Sequence, residues 1–249
     1  MYSANVIGPW SRIALATASR ASTGPGYGSS VASGLVSDET RQAASLIGVR
    51  DGSDGPEVLV IERTLDHRFL PGYVAFPGGA VDEADGPLAE RWFGDVGEAV
   101  RAAAIRELAE EVGLAVTRGA VVAVDRDRPL APIHAAPPRI VSLHEVARWI
   151  APSEVPVRFD ARYYAVRMDD AAEPVPDGAE AARAWWVTPR SLLSAWEGGE
   201  VLLYWPTHFT MTTLADCRDV EDVLALRIAT REPREDEVGR LPRSIFFQD

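Results

Sequence analysis

The chain has 249 residues, 47% hydrophobic and 25% charged, with a net charge of -12 and no lysine. This composition is typical of a soluble globular protein with one large domain, and the negative charge disfavours broad nucleic-acid binding. The sequence contains no apolar run of about 18 residues, so we expect no membrane span. The single cysteine, Cys217, excludes an internal disulfide and favours a reducing cytoplasm.

Composition divides the chain into three parts. Residues 1–37 contain no Asp or Glu and are rich in Ser, Gly and Ala, which is typical of a loose extension and also resembles a transit peptide. We favour an N-terminal extension, expected to be flexible, and a cytoplasmic protein. The predicted strands and helices fall within one domain at 38–230, followed by a C-terminal tail at 231–249.

The first half of the domain alternates apolar runs with turn residues and then shows a helical pattern. Its predicted elements are strands at Ala44–Val49, Val58–Ile61 and Tyr73–Phe76, a helix at Glu98–Val112 closed by Gly113, and a strand at Val116–Val124.

The second half begins with an irregular, Pro-rich stretch at 125–157, in which His144–Ile150 is a helix candidate, and it contains an acidic loop at 169–182. Its other predicted elements are strands at Arg162–Met168 and Trp185–Val187, and helices at Pro189–Trp196, His208–Ala215 and Asp219–Ala229. This mixed order favours an α/β or α+β fold over a repeat array.

Three glutamates in the first predicted helix point to chemistry. On an α-helix, Glu107, Glu110 and Glu111 lie at i, i+3 and i+4, so their carboxylates crowd one face. Like charges at this spacing repel each other. The helix therefore either exposes them to solvent, which is the usual outcome for a bare Glu-x-x-Glu-Glu, or binds a cation such as Mg²⁺ or Mn²⁺.

The longer string around these glutamates matches a known pattern. Residues 106–114 agree with the end of the Nudix box, G-x5-E-x7-R-E-U-x-E-E-x-G-U, in which U is aliphatic. Glu98 stands eight residues before Arg106, as the box requires, and Phe76-Pro77-Gly78-Gly79 resembles the turn that opens it. The chain therefore resembles the Nudix hydrolase family.

The spacing within the box departs from the family pattern. Glu98 follows Gly79 by 19 positions where the box has 6, which implies 13 inserted residues. We therefore expect residues 80–97 to bulge out between the turn and the helix. An insertion here resembles the branch of peroxisomal coenzyme A diphosphatases, as do the stretches 58–84, 149–152, 158–164 and 186–189.

The resemblance implies an α/β/α sandwich with a mixed β-sheet between helices, and a reaction that needs Mg²⁺ or Mn²⁺. It implies that Glu107 and Glu111 ligate metal, with Glu110 as a further ligand or a base acting through water. The backbone carbonyl of Gly79 is a metal ligand in many family members. Arg106 is expected to orient the glutamates by a charge-assisted hydrogen bond.

Candidates outside the helix are carboxylates and arginines. The family often adds a carboxylate from a distant loop, for which Glu180 is the first candidate and Glu173 the second. Arg158 and Arg162 are candidates for binding substrate phosphate, and an ion pair with Asp160 or another acid is the alternative.

Further residues receive weaker assignments. Glu98 is half a turn away from Glu107 on a straight helix, so we expect it to support the helix N-terminus rather than bind metal. Trp205 and Tyr204 are candidates for stacking on adenine, although tryptophans are more often core residues. Cys217 lacks the context of a nucleophile, and the four histidines show no metal-ligand spacing and are interpreted as structural or surface groups: His67, His134, His144 and His208.

The resemblance implies hydrolysis of a pyrophosphate bond in a nucleoside diphosphate derivative, with coenzyme A or acyl-coenzyme A as the first choice of substrate. The enzymatic alternative is an ADP-ribose, dinucleotide or nucleotide-sugar pyrophosphatase. The non-enzymatic alternative is a sensor that binds such a nucleotide without cleaving it. The expected partner is a small nucleotide-like substrate, without nucleic acid or membrane, and a homodimer is left open.

Overall fold

The computed structural model describes residues 40–151 and 158–230. The predictions for 1–37 and 231–249, and residue 152 of one coenzyme A stretch, lie outside these residues. Among the helices described, none has the length and apolar character needed to cross a membrane.

Strands and helices alternate along the described chain. The strands are β1 (Arg41–Gly52), β2 (Gly55–Arg63), β3 (Tyr73–Ala75), β4 (Gly78–Ala80), β5 (Leu114–Val116), β6 (Val121–Ala123), β7 (His144–Ile150), β8 (Phe159–Arg167), β9 (Ala181–Val187) and β10 (Leu202–Leu203). The helices are α1 (Asp85–Phe93), α2 (Ala99–Val112), α3 (Ala131–Ala135), α4 (Pro189–Glu197), α5 (Trp205–Leu214) and α6 (Val220–Ala225).

The large sheet is mixed, because strands in it have both parallel and antiparallel neighbours. β1 pairs in parallel with β8 and antiparallel with β2, and β8 pairs antiparallel with β7. β2 also pairs antiparallel with β9, and the short β10 pairs in parallel with β3. β5 and β6 form a separate antiparallel pair.

β1 and β2 diverge beyond their hairpin, and this divergence makes room for the loop that carries Gly78 and Gly79. β1 pairs with β2 only near the hairpin, and its early residues at 43–45 pair with β4. The far end of β2 pairs with β3 at Ile61 and Glu62. The segment from β3 to β4 therefore lies between the diverging strands and opens towards α2.

Helices cover both faces of the sheet. Side chains alternate along a strand, so Leu59 and Ile61 of β2 pack into a cluster with Leu108 of α2. Val58 and Val60 point the other way, into a cluster that includes apolar side chains of α4, α5 and α6. The predicted α/β/α sandwich with a mixed sheet is confirmed.

Two local predictions were wrong or incomplete. His144–Ile150 is strand β7 rather than a helix: Val146 and Trp149 have helical spacing, but the backbone pairs with β8. The predicted strand Val116–Val124 is a hairpin, because Thr117 and Ala120 hydrogen bond across a tight turn between β5 and β6. In both segments, pairing partners elsewhere in the structure decide what a short apolar pattern becomes.

The inserted residues do not form the expected bulge. They form helix α1, which ends at Gly94 in the left-handed conformation and buries Ala89 and Trp92 in the cluster shared with α2. Trp92 Nε1 donates to His134 Nδ1 at 2.9 Å, which confirms the structural assignment of that histidine. Gly86, the second residue of α1, is a poor helix former. The sequence pattern therefore did not predict this helix.

Candidate active site

Helix α2 places its three box glutamates at different depths. Glu111 is 2% exposed. The Glu107 side chain is 12% exposed, whereas that of Glu110 is 43% exposed. One carboxylate is therefore buried, one lies at the boundary, and one reaches solvent.

The glycine pair of β4 packs directly against this helix face. The Gly78 N–H donates to Glu111 Oε2 at 2.7 Å. A Cβ at Gly78 would lie 2.2 Å from the carbonyl oxygen of Ala44, and a Cβ at Gly79 would lie 2.4 Å from Glu107 Oε1. Both positions require glycine, because only a chain without side chains can pass between β1 and the carboxylates.

Arg106 lies at the centre of the acidic group. Its Nη1 donates to Glu107 at 2.8 Å and to Glu110 at 3.0 Å. Its Nε and Nη2 donate to both carboxylate oxygens of Asp85, at 2.8 and 3.0 Å, and Nη2 also donates to the Ala80 carbonyl at 3.3 Å. A guanidinium has five N–H groups, so every donor of Arg106 is engaged. Burial lowers the pKa of Arg106, but the Asp85 hydrogen bond and the charge of Glu107 outweigh it and raise the pKa.

Asp85 corrects the assignment of the first acid of the box. It is fully buried at the start of α1 and follows Gly79 by six positions, which is the first spacing of the box with aspartate in place of glutamate. Glu98 instead pairs with Arg101. The insertion therefore lies between Asp85 and α2, rather than between Gly79 and the first acid. Counting six positions from Gly79 would have found this residue in the sequence.

Burial makes two of the glutamates weaker acids than an exposed glutamate. It raises the pKa of Glu107 to about 7, against the opposing charge and hydrogen bond of Arg106. Burial also raises the pKa of Glu111 to about 8, although the charge of Arg63 acts in the opposite direction. A cation bound between these carboxylates would favour their ionised forms.

A cavity of about 440 Å³ opens beside the acidic group, which is a common size for a small-ligand site. Asp82, Arg106 and Glu107 line one end. Aromatic side chains line the remainder, including both stacking candidates: Phe69, Trp149, Phe159, Tyr163, Tyr204 and Trp205. The cavity thus joins a charged end to an apolar end, and the role of Tyr204 and Trp205 in stacking stays a prediction.

Three more polar residues line the cavity, namely Arg63, His67 and Glu180. Arg63 Nη1 lies 2.8 Å from His67 Nε2, and Nη2 lies 3.5 Å from the Gly78 carbonyl oxygen. Glu180 Oε2 lies 3.6 Å from His67 Nε2. The structure therefore brings the predicted loop carboxylate to the cavity, and it adds Arg63 and His67, which the sequence pattern did not single out. No sequence pattern points to Arg63 and His67, because β2 and the loop after it come next to the Nudix box residues only in the folded protein.

The two predicted phosphate-binding arginines do not line the cavity. Arg162 pairs with Glu145 at 3.5 Å, and alternation along β8 points it away from the face of Tyr163. Arg158 Nε donates to the carbonyl of Ala151, which is itself part of the cavity wall. Arg158 is therefore next to the cavity, and Arg162 is on the other face of the sheet.

The remaining acids have partners outside the cavity. Asp160 accepts from Arg148 Nε at 2.7 Å, and this hydrogen bond lowers the pKa of Asp160. Glu173 lies 3.7 Å from Arg50 and is 81% exposed. The structure thus separates Glu173 from the acidic group and keeps Glu180 near it.

Comparison with known proteins agrees with this geometry. The sequence profile of the NUDIX domain matches residues 39–205. The chain belongs to the Nudix family. It is similar to the crystal structure of a NUDIX hydrolase from Alicyclobacillus acidocaldarius, with a TM-score of 0.67 and 30% identity, covering 77% of this chain and 98% of that one. It is also 27% identical over 201 residues to nudix hydrolase 7 of Caenorhabditis elegans, covering 75% of this chain and 64% of that protein's length.

Nudix hydrolases generally use divalent metal ions such as Mg²⁺, and the acidic group fits such an ion. Glu111 Oε1 is buried and has no hydrogen-bond partner among the described residues. The absence of a side chain at Gly79 lets the backbone of β4 approach the Glu107 carboxylate, and carboxylate oxygens are ligands that Mg²⁺ prefers.

The glutamates are not arranged as a complete metal site. In residues 40–151 and 158–230, no three Asp, Glu, His or Cys side chains are placed to hold one ion. The reason is that Glu107 and Glu110 both turn to Arg106. The predicted metal ligands, including Gly79 and Glu111, are therefore assembled in one place, and their coordination of metal stays a proposal.

Proposed function

We propose that this chain is a metal-dependent Nudix hydrolase that cleaves the pyrophosphate bond of a nucleoside diphosphate derivative. The observation that carries the proposal is the buried carboxylate of Glu111, with one oxygen held by Gly78 and the other without a partner among the described residues, at one end of a cavity of about 440 Å³. A buried carboxylate with one unpartnered oxygen is costly to ionise unless a cation binds it.

Mg²⁺ or Mn²⁺ would be held by Glu107, Glu110, Glu111 and the Gly79 carbonyl. Such an ion neutralises pyrophosphate charge and lowers the pKa of an attacking water. Arg106 holds Glu107 and Glu110 in place through its Nη1 donors. The aromatic end of the cavity excludes water and receives the organic part of the substrate.

Glu180 is proposed as the loop carboxylate that accepts a proton from water or adds a late metal ligand. The negative charge of Glu180 repels those of Glu107 and Glu111 and so contributes to their raised pKa values. Its side chain is 59% exposed, so it can move towards the substrate without disturbing packing.

Coenzyme A or a short acyl-coenzyme A is the proposed substrate. The insertion that forms α1 and the aromatic wall contributed by Trp149, Phe159 and Tyr163 support this choice. The 3'-phosphate of coenzyme A needs a cation, for which Arg158 is better placed than Arg162 because it adjoins the cavity wall at Ala151. The alternatives are ADP-ribose, a dinucleotide or a nucleotide sugar.

The test is a hydrolysis screen of coenzyme A, acetyl-coenzyme A, ADP-ribose and NADH with Mg²⁺ or Mn²⁺. We expect the highest catalytic efficiency on a coenzyme A derivative. Faster cleavage of ADP-ribose would overturn the substrate and keep the Nudix hydrolase. Tight binding without cleavage of any compound would favour the nucleotide sensor, which the complete set of box glutamates argues against.

The Arg158 assignment has its own readout. Arg158→Met should reduce efficiency on coenzyme A by about tenfold more than on 3'-dephospho-coenzyme A, because a charge-assisted hydrogen bond to phosphate contributes about 1.5 to 3 kcal/mol. Equal losses on both substrates would show that Arg158 is structural.

The cellular setting is also a proposal. We place the protein in the cytoplasm, on the strength of its single cysteine, and we expect a small-molecule substrate rather than nucleic acid or membrane as its partner. Whether it forms a homodimer is settled by light scattering on the full chain.

A further inference from the structure

The charges of the cavity wall pose a problem for a substrate that carries pyrophosphate. The lining contains the carboxylates of Asp82, Glu107 and Glu180 against the guanidinium groups of Arg63 and Arg106. Arg106 uses all five of its donors within the protein. A phosphate oxygen therefore gains no hydrogen bond from Arg106 unless an existing one breaks.

Arg63 differs from Arg106 because most of its donors are open. Its guanidinium contacts His67 Nε2 at 2.8 Å and the Gly78 carbonyl at 3.5 Å. Among the residues that the structure describes, no carboxylate forms an ion pair with Arg63. With five donors and two protein contacts, the Arg63 guanidinium keeps an edge for a ligand.

His67 fixes the position of this guanidinium. A guanidinium only donates, so Nε2 of His67 must accept from Arg63 Nη1 and carries no proton. In the neutral ring the proton is then on Nδ1, which donates to the Phe69 carbonyl at 2.8 Å, and the Phe69 N–H, 3.1 Å from the same nitrogen, then makes no hydrogen bond to it. The other tautomer would set an N–H of the ring against an N–H of Arg63. The backbone of the loop after β2 therefore orients His67, and His67 orients Arg63.

The backbone of β2 also places Arg63 at this point. The pairing of β2 with β9 shifts register between Glu62 and Arg63. Such irregularities commonly turn a side chain next to a functional site. Arg63 thereby lies beside Gly78, whose N–H holds Glu111.

We propose that Arg63 binds phosphate oxygens of the substrate's pyrophosphate and that His67 is the positioning residue that holds Arg63 ready. The planar fork of an arginine matches two phosphate oxygens at once, which a lysine does not. This inference rests on the proposed function, and it assigns to Arg63 the phosphate contact that Arg106 has no free donor to make.

The test measures binding separately from turnover. In a Glu111→Gln background with Mg²⁺, calorimetry gives the Kd of coenzyme A and of ADP-ribose. Adding Arg63→Met should raise the Kd of both ligands by about tenfold to a hundredfold. Arg63→Lys keeps the charge and loses the fork, so it should recover only part of the loss. The matched control is Arg183→Met, since Arg183 lies on neighbouring β9, pairs with Glu62 and is 66% exposed; it should leave Kd unchanged.

The outcomes separate the two proposals. If the parent protein with Mg²⁺ neither binds nor cleaves either ligand, the proposed function fails and the role of Arg63 fails with it. If the protein binds them and adding Arg63→Met leaves both Kd values unchanged, the inference about Arg63 is wrong and the proposed function stands.

His67 is tested by a conservative variant. His67→Gln can place an amide oxygen near the position of Nε2 and accept from Arg63, whereas His67→Leu cannot. We expect His67→Leu to raise KM by about tenfold with a smaller change in kcat. His67→Gln should have a KM close to that of the parent protein. Equal KM values for Leu and Gln would contradict the positioning role.

Discussion

The two ends of the cavity are built in different ways. The acidic end comes from one stretch of chain, 78–111, and its central cation has every donor engaged. The aromatic end gathers Phe69, Trp149, Phe159 and Tyr204 from four separate segments. The acidic end is therefore specified by a local sequence motif, whereas the aromatic end forms only when the sheet and the helices behind it assemble.

The ends also differ in what they contribute to stability. The aromatic end is packed, with Trp149 and Trp205 ring centroids 5.3 Å apart and Trp149 Nε1 donating to Thr210 at 3.1 Å. The acidic end buries Glu111 with one carboxylate oxygen unpartnered among the described residues. We therefore expect the acidic end to trade stability for function, and the following predictions test that contrast.

The largest expected effect is on turnover. Glu111→Gln should lower kcat by about a thousandfold, since a lost metal ligand removes several kcal/mol of transition-state stabilisation. The fold should persist, because the amide oxygen can still accept from Gly78. Kinetics and circular dichroism check this together. Full activity in a folded Glu107→Gln, Glu111→Gln double variant would end the metal-helix hypothesis.

The next effect concerns the anchor of Arg106. Asp85→Asn should reduce the free energy of unfolding by about 3 kcal/mol, because it removes the fully buried, two-point counter-ion of Arg106 and leaves only Glu107 and Glu110 to pair with it. The control is Glu98→Gln, at a partly exposed pair, where we expect less than about 1 kcal/mol. Urea unfolding measures both. A larger loss for Glu98→Gln would return the first acid of the box to Glu98.

The pH dependence of stability should expose the cost of the acidic end. The pKa of Glu111 is raised to about 8 in the folded protein, whereas the unfolded chain ionises near the ordinary value of 4.5. The folded state holds the Glu111 proton to higher pH, so the contribution of Glu111 to stability is fully present below pH 4.5 and is lost as pH rises towards 8.

In a chelating buffer, Glu111→Gln should therefore gain about 2 kcal/mol relative to the parent protein between pH 5 and pH 8.5. Thermal or urea unfolding across this range gives the difference. A constant gap between the two proteins would show that Glu111 is already ionised when folded, and that its burial is compensated without metal.

The smallest effect is expected at the exposed loop. Glu180→Gln should lower kcat by about tenfold and change substrate affinity less, if its carboxylate accepts a proton or joins the site late. Glu173→Gln, at an exposed carboxylate next to Arg50, is the matched control and should be silent. An unchanged rate and pH-rate profile for Glu180→Gln would remove it from the site.

The sequence by itself determined the family, the sandwich and the glutamate face of α2. These follow from short-range rules: helical spacing brings Glu107, Glu110 and Glu111 together, and glycine is required where a backbone must pass a carboxylate. The same counting reaches Asp85 from Gly79, although the longer insertion drew the assignment to Glu98.

The tertiary structure alone decided the rest. His144–Ile150 is a strand because its backbone pairs with β8. The insertion forms α1 because Trp92 packs in the cluster shared with α2 and hydrogen bonds to His134 of α3. Arg63 and His67 reach the cavity through the divergence of β1 and β2 and the irregular end of β2. Arg162 is excluded from it by strand alternation. Such outcomes depend on which surfaces meet, and contacts between segments far apart in the chain leave no periodic signal in the sequence.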